Sequence, residues 1–323
     1  MTETATDQAS ETARGTASDG AREAGQDFAD ALKAAAVRTE AALDACLPRP
    51  GGAPGEAELI TAMRYAVMDG GKRLRAFLTI ETGRLFGAPE DGAARAAAAV
   101  ECLHAYSLVH DDMPCMDDDD LRRGKPTVHK RWGEATAVLA GDGLQTMAFE
   151  IMADPATHSS GAVRARLCLG LAQASGHAGM VGGQAIDLAA EAAEAPLRPD
   201  AVRKLQALKT GALIAFSAEA GAILGEAGDT DLARIQSYAH ALGEAFQIAD
   251  DLLDVTGTEA ETGKRVGKDA GAGKATFVDI LGIEGAKRRA ADLIAEAEAA
   301  LAPYGARSGL LGAAAHFVVD RRS

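Results

Sequence analysis

The chain has 323 residues and a net charge of −14 at pH 7, and 47% of its residues are hydrophobic while only 4% are aromatic. This length and apolar content are sufficient for a large core. The negative charge argues against nucleic acid as a partner, because proteins that bind phosphate backbones need basic stripes. The composition predicts a globular protein that gathers positive charge only locally.

Alanine and leucine are abundant, whereas Val, Ile and aromatic residues at a period of two are scarce, so strands are not expected and we predict an all-α fold. Residues 1–25 lack a hydrophobic run and predict a disordered acidic leader before one domain over 26–323. We expect neither a signal peptide nor a membrane span. The four widely spaced cysteines favour reduced thiols in the cytoplasm.

Glycine and proline divide the remaining chain into predicted helices. In chain order they cover residues 27–46, 56–68, 73–86, about 93–110, 134–153, 162–176, 181–192, 199–224 and 229–255, before a Gly/Lys-rich loop over 257–274 and two shorter helices. Within 199–224, Lys209-Thr210-Gly211 predicts a bend, because Gly weakens a helix and Thr can bond back to an upstream carbonyl.

The first acidic cluster follows the fourth predicted helix and contains Asp111, Asp112 and Asp117. Pro114 cannot continue the helix, so a loop must return Asp117. A solvated acidic loop and an EF-hand are the alternatives. An EF-hand loop starting at Asp112 would need Gly and Glu where Asp117 and Arg123 stand, so that pattern fails.

The second acidic cluster contains Asp250, Asp251 and Asp254, whose i, i+1, i+4 spacing places the carboxylates on one side of a helix. Gln247 shares that side. Like charges at this spacing destabilise a helix by about 0.2–0.5 kcal/mol per pair. Mg²⁺ would offset that cost, because it binds a few carboxylates and completes its shell with phosphates and water.

Basic residues accompany the acidic clusters. Arg122 and Arg123 follow the first cluster, and planar guanidinium groups match phosphate oxygens, although salt bridges to the aspartates at 118–120 are the alternative. The Gly/Lys-rich loop contains Lys264 and Lys274 but does not satisfy the P-loop pattern GxxxxGK[ST]. A mobile basic flap over a diphosphate fits this loop better.

Three further residues are candidates for binding an anion. His104 lies on the same helix face as Asp111, although a lone helix histidine is often structural. Lys72 and Arg75 share a face at a predicted helix start, where backbone amides favour a phosphate. Basic helix starts are common, so this signal alone is weak.

Taken together, these motifs resemble those of the trans-isoprenyl diphosphate synthases, the polyprenyl synthetase family, from about Leu32 to the C-terminus. The resemblance rests on six motifs in order: Gly71-Lys72-Arg73-Leu74-Arg75, residues 104–110, Leu121-Arg122-Arg123-Gly124, Gly183-Gln184-Ala185-Ile186-Asp187, Lys209-Thr210-Gly211 and residues 246–254. It implies an all-α bundle with the two clusters facing across a central cavity, usually in a homodimer.

The resemblance also implies the site residues. Three Mg²⁺ ions per site, with Mn²⁺ as an alternative, would be held by Asp111, Asp112, Asp117, Asp250, Asp251 and Asp254. Arg122 would grip an allylic diphosphate in a pocket completed by Lys209, Thr210, Gln247, Lys264 and Lys274. Isopentenyl diphosphate would be held by Lys72, Arg75, His104 and Arg123.

The implied activity is head-to-tail prenyl transfer without a protein nucleophile. Tyr106 lies five residues before Asp111, roughly 7.5 Å down the helix, where its ring can floor the pocket or simply belong to the core. In similar bacterial enzymes an aromatic residue here, beside a small Ser107, accompanies a farnesyl (C15) product. The alternatives are geranylgeranyl (C20) synthesis, a terpene cyclase and a non-catalytic partner subunit.

Overall fold

The computed structural model describes residues 4–68, 70–193, 197–256 and 276–320, with side chains described from residue 25 onwards. The all-α prediction is confirmed. The helices are α1 Thr4–Cys46, α2 Pro54–Val67, α3 Leu74–Leu85, α4 Glu90–Asp111, α5 Val128–Trp132, α6 Glu134–Ala153, α7 Gly161–Ser175, α8 Met180–Glu191, α9 Pro199–Gln206, α10 Ala212–Leu224, α11 Asp229–Thr256, α12 Phe277–Leu301 and α13 Gly309–Asp320. A 3₁₀ segment, Ala302–Ser308, joins the last two.

Two helices, α4 and α10, are buried on all sides and form the centre of the bundle. Residues 96–100 of α4 and residues 213–218 of α10 are each consecutively buried. A helix that is apolar all round belongs to the interior of a large domain. α10 packs against α3, α4, α7 and α11, so α10 joins the helices that carry the two acidic clusters.

Small residues allow α10 to lie directly against α3. A Cβ on Gly221 would lie 2.5 Å from the backbone nitrogen of Gly83, which is closer than real Cβ atoms approach. Thr79 donates its hydroxyl to the carbonyl of Ser217 at 2.8 Å across the same contact. Close backbone approach holds α3, and therefore the basic turn that precedes it, in a fixed position.

The helix α1 begins at Thr4, inside the segment 1–25 that the composition predicts to be a leader. The leader as a separate unit stays a prediction. One finding bears on the expectation that the chain has no membrane span. The helical stretch Pro199–Leu224 is long and apolar enough to be a candidate membrane span, but 67% of its apolar window is buried in the bundle, as in a core helix.

The predicted bend at Lys209-Thr210-Gly211 is confirmed as a π-helical turn, Ala207–Gly211, between α9 and α10. Single π turns interrupt α-helices most often at functional sites. The turn packs against α8, where a Cβ on Gly183 would lie 2.6 Å from the Cα of Lys209. Glycine at 183 therefore permits this contact.

We predict that Gly183→Ala lowers the free energy of unfolding by about 1–3 kcal/mol, because the added methyl group meets backbone rather than a movable side chain. Urea denaturation measures the change. Gly312→Ala is the matched control, since nothing lies within 4 Å of a Cβ there, and it should be neutral or stabilising. Equal midpoints for the two variants would contradict the close contact.

Candidate active site

The first acidic cluster lies at the C-terminus of α4. Asp111 is the last helical residue and Asp112 is the C-cap. The backbone N–H of Asp117 donates to the carbonyl of Asp111 at 2.9 Å, so the loop after Pro114 returns to the helix end as predicted. Asp117 is exposed and Asp111 is half-buried. These two carboxylates are more accessible than that of Asp112, which is 3% exposed.

Asp112 is paired with Arg122 in this structure. The Nε of Arg122 donates to both carboxylate oxygens at 2.8 and 2.9 Å, and Nη2 lies 2.6 Å from Oδ1. Burial raises the pKa of Asp112, and the hydrogen bond and charge of Arg122 oppose that rise. Arg122 bonds Asp112 instead of the aspartates at 118–120, which were its predicted alternative partners. A predicted metal ligand and a predicted phosphate ligand are therefore partners of each other.

A short hairpin, which the sequence did not predict, positions the two arginines. Strand β1, Leu121–Arg122, pairs antiparallel with β2, Lys125–Pro126. The turn residues Arg123 and Gly124 have φ of 51° and 74°. Positive φ at both central residues is typical of a two-residue hairpin with Gly at the second position, a signal that was present in the sequence.

An aromatic group attaches this hairpin to α2. Tyr65 donates its hydroxyl to the carbonyl of Pro126 at 2.8 Å. Its ring meets that of Trp132 edge-on at 5.0 Å, and the guanidinium of Arg131 lies 4.6 Å from both ring centres. Cation–π and edge-on contacts of this kind stabilise the position of the loop. Tyr65 thus fixes the hairpin that carries Arg122.

The predicted basic group is assembled from three elements. Arg75, at the start of α3, places Nη1 3.4 Å from Nε2 of His104 on α4. Arg123 lies against the turn before α3, where a Cβ on Gly71 would be 2.8 Å from its Nη2. Lys72 follows that turn, with Nζ 5.5 Å from the ring centre of Phe317. The four residues predicted to hold isopentenyl diphosphate thus belong to one region.

The electrostatics of this basic group favour an anionic ligand. Burial lowers the pKa of Arg75, as does the charge of Arg123, while Glu101 opposes both. Burial also lowers the pKa of His104 well below its usual value, and Arg75 and Arg123 add to that effect. The Nε of Arg75 is buried without a hydrogen-bond partner. A bound diphosphate would relieve this mutual repulsion.

In the second cluster, the three aspartates have different surroundings. Asp251 is 1% exposed and accepts hydrogen bonds from Gln247 Nε2 at 2.9 Å and from the backbone N–H of Phe277 at 2.6 Å. Asp250 and Asp254 are half-buried. The sequence predicts three carboxylates on one side of the helix, and the carboxylate of Asp251 is bonded to the start of α12. Asp251 therefore contributes to the fold, and its role as a metal ligand stays a prediction.

The π-helical turn that carries Lys209 contacts both α8 and α11. The Nζ of Lys209 lies 2.5 Å from Oδ2 of Asp187 on α8. Behind the turn, a Cβ on Gly243 of α11 would lie 3.2 Å from the Cα of Gly211. Gln247 is one helical turn beyond Gly243 on the same face of α11. Lys209 and the neighbouring half-buried Thr210 thus lie beside the helix that carries Gln247, as the bend predicts.

Tyr106 lies on α4, one turn from the acidic end. It is 8% exposed and its ring meets that of His110 edge-on at 5.2 Å. Burial raises the pKa of Tyr106, and Asp142 and Asp111 add to the rise. Ser107 donates its hydroxyl back to the carbonyl of His104 at 2.8 Å and keeps a small profile. Both possibilities for Tyr106, core residue and pocket floor, are compatible with this burial.

An acidic group able to hold a metal ion is also present in the loop after the first cluster. Asp118, Asp120 and His129 each offer a ligand atom, and these atoms lie within 4.8 Å of one another. Lys130 already pairs with Asp120 at 2.7 Å. The sequence analysis did not select this group. Lys264 and Lys274 lie outside the described residues.

Comparisons with known proteins agree with this arrangement. The polyprenyl synthetase family model matches residues 56–302. A farnesyl diphosphate synthase of Escherichia coli is 47% identical over 81% of this chain and 89% of its own length. A chloroplastic geranylgeranyl pyrophosphate synthase of Arabidopsis thaliana is 45% identical over 73% of this chain and 66% of its own.

The similarity extends to solved structures. An apo FPP/GFPP synthase from Zymomonas mobilis superimposes with a TM-score of 0.83 and is 44% identical, over 91% of this chain and 99% of that protein. The family model covers well over half of the chain, and the Escherichia coli relative is 47% identical over 81% of it. The chain belongs to the polyprenyl synthetase family.

Proposed function

We propose that the protein condenses isopentenyl diphosphate with dimethylallyl and geranyl diphosphate to give farnesyl diphosphate and pyrophosphate. The observation that supports this is a basic group that lies on other elements than the second acidic cluster and is suited to a diphosphate of its own. Arg75, His104 and Arg123 form a cationic site, while Asp111 and Asp250 belong to acidic clusters on other helices. A terpene cyclase needs one diphosphate site only, and a non-catalytic subunit needs neither.

The acidic clusters suit Mg²⁺ or Mn²⁺, because every predicted ligand is a carboxylate oxygen and the accessible ones lie at helix ends. We assign the ions to Asp111, Asp117, Asp250 and Asp254, with Asp112 joining when Arg122 exchanges its carboxylate for phosphate. When bound, the ions neutralise the diphosphate and stabilise the departing pyrophosphate. Asp251 holds the start of α12 instead of a metal.

The chain's own residues then position the reacting groups. Arg75, Arg123 and Lys72 orient isopentenyl diphosphate, and His104, whose pKa is lowered by burial and by the neighbouring arginines, donates or accepts one hydrogen bond. Lys209, Lys264 and Lys274 hold the allylic diphosphate together with Arg122. The hydroxyl of Thr210, the amide of Gln247 and nearby carbonyls direct partial negative charge at the allylic carbocation. Water exclusion protects that cation.

We also propose a cytoplasmic homodimer with a catalytic domain over 26–323. All four cysteines are free thiols, as expected in a reducing compartment. Leu139 on α6 and Leu169 on α7 are 55% and 59% exposed, which offers apolar surface for a second copy. Light scattering of the purified protein tests the dimer directly.

The decisive experiment sizes the products formed from isopentenyl diphosphate and dimethylallyl or geranyl diphosphate with Mg²⁺. We expect C15 to dominate and activity to disappear with a chelator. A dominant C20 product would favour geranylgeranyl synthesis, the activity named for the Arabidopsis relative. Release of pyrophosphate without isopentenyl diphosphate, together with cyclic products, would instead indicate a cyclase.

We predict that Tyr106→Ala lengthens the main product from C15 to C20 or beyond, because the ring's removal opens space down α4 from Asp111. Tyr304→Ala is the matched control. Tyr304 is also 8% exposed, but it bonds Asp231 at the start of α11, far from the acidic end of that helix. The control should keep C15. Unchanged product length in Tyr106→Ala would assign Tyr106 to the core alone.

We also predict that the neighbours Asp250 and Asp251 respond differently to substitution by Asn. Asp250→Asn should lower kcat by about a hundredfold or more, with little change in Tm, because it removes charge from the metal site. Asp251→Asn should lower Tm by several degrees, roughly the effect of losing 1–3 kcal/mol at a buried hydrogen-bonded group. Thermal denaturation and steady-state kinetics on both variants separate the roles. An equal fall in Tm would refute the assignment.

A further inference from the structure

Arg73 lies inside the basic motif before α3 yet does not face the substrate site. Its side chain is 3% exposed and bonds two carboxylates: Nη1 donates to Glu101 at 2.7 Å, and Nε donates to Glu40 at 3.0 Å. Nη2 also donates to the carbonyl of Val67 at the end of α2. The side chain of Arg73 therefore connects α1, α2 and α4 beside the turn that precedes Lys72.

The backbone of Arg73 is unusual as well. Its φ of 54° and ψ of 36° place it in the left-handed region as the N-cap of α3. A residue with a Cβ adopts this conformation only when surrounding contacts compensate the cost. The buried ion pairs supply those contacts, so the conformation of the turn depends on the Arg73 side chain.

Glu101 is the carboxylate that matters most to the neighbouring cations. It is 4% exposed, and its Oε1 accepts the backbone N–H of Ala76 at 3.3 Å, next to Arg75. It also lies one turn before His104 on α4. Its charge opposes the lowering of the pKa of both Arg75 and Arg123. Glu101 is thus close to both guanidinium groups, but its carboxylate is bonded to Arg73.

We infer that Arg73 is a positioning residue that withholds Glu101 from Arg75 and Arg123, so that those two guanidinium groups stay available for the diphosphate of the second substrate. Arg122 differs from these two arginines, because it is paired with Asp112 and must exchange that carboxylate for a phosphate. Among the described hydrogen bonds and ion pairs, none joins a carboxylate to Arg75 or Arg123. The inference rests on the proposed function, which places isopentenyl diphosphate at these cations.

Removing Arg73 should release Glu101. A buried carboxylate that loses its partner seeks the nearest cation, because an unpaired buried charge is costly. The charge of Glu101 already acts on Arg75 and Arg123, so Glu101 would compete with diphosphate for them. A purely structural role for Arg73 predicts something else: any variant that breaks the Arg73–Glu101 pair should damage the site equally.

The test compares Arg73→Met, Glu101→Gln and the double variant Arg73→Met/Glu101→Gln. Glutamine retains the oxygen that accepts the Ala76 N–H. We expect KM for isopentenyl diphosphate to rise roughly tenfold in Arg73→Met, corresponding to about 1.4 kcal/mol. KM for geranyl diphosphate should stay within about threefold of the wild-type value, and the double variant should recover the KM for isopentenyl diphosphate to within about threefold.

Arg95→Met is the matched control. Arg95 is a half-buried arginine on α4 that, like Arg73, bonds a carboxylate, but its partners Asp154 and Thr157 lie in the loop between α6 and α7. Its substitution should change Tm but neither KM. Wild-type protein that forms no prenyl product would sink the proposed function itself, before any variant is compared.

Two results would overturn the positioning role in an active enzyme. One is a rise in KM for isopentenyl diphosphate that is equal in Arg73→Met, Glu101→Gln and the double variant, which a structural anchor explains. The other is an Arg73→Met variant with the wild-type KM. If Arg73→Met does not fold, the double variant decides: an elevated KM there overturns the role, and a wild-type KM supports it.

Discussion

The dominant constraint in this molecule is the placement of negative charge at the wrong ends of two helices. Asp111 and Asp254 lie in the last turns of α4 and α11, where the backbone carbonyls already make the potential negative. Acidic residues are normally favoured at the opposite end. The middle of α4 is buried on all sides, so the helix cannot shift freely to relieve the repulsion. The carboxylates at these two helix ends therefore need cations nearby to balance their charge.

Groups of the protein itself balance part of this negative charge. Arg122 neutralises Asp112, and the backbone N–H of Phe277 together with Gln247 stabilises Asp251. One carboxylate in each cluster is thereby paired within the protein, while Asp111, Asp117 and Asp254 remain at least partly accessible. The members of each cluster therefore differ in their surroundings, a difference that an acidic motif alone does not reveal.

Sequence patterns identified what depends on neighbouring residues along the chain. Helical periodicity, the break at Pro114 and the bend at Lys209-Thr210-Gly211 are local properties, and the structure confirms them. Contacts between distant segments were not accessible in this way. The bond from Asp251 to Phe277, the attachment of Arg73 to Glu40 and the hydroxyl of Tyr65 on Pro126 all depend on tertiary packing.

The hydrogen bond between Asp251 and Phe277 links the second acidic cluster to the start of α12. It joins the last turns of α11 to the first residue of α12. Because Asp251 adjoins Asp250 along α11, a single hydrogen bond separates the second acidic cluster from the backbone amide of Phe277. Hydrogen exchange at that amide would report site occupancy without any label on the substrate. The Phe277 amide would thus be an intrinsic probe of whether the site is occupied.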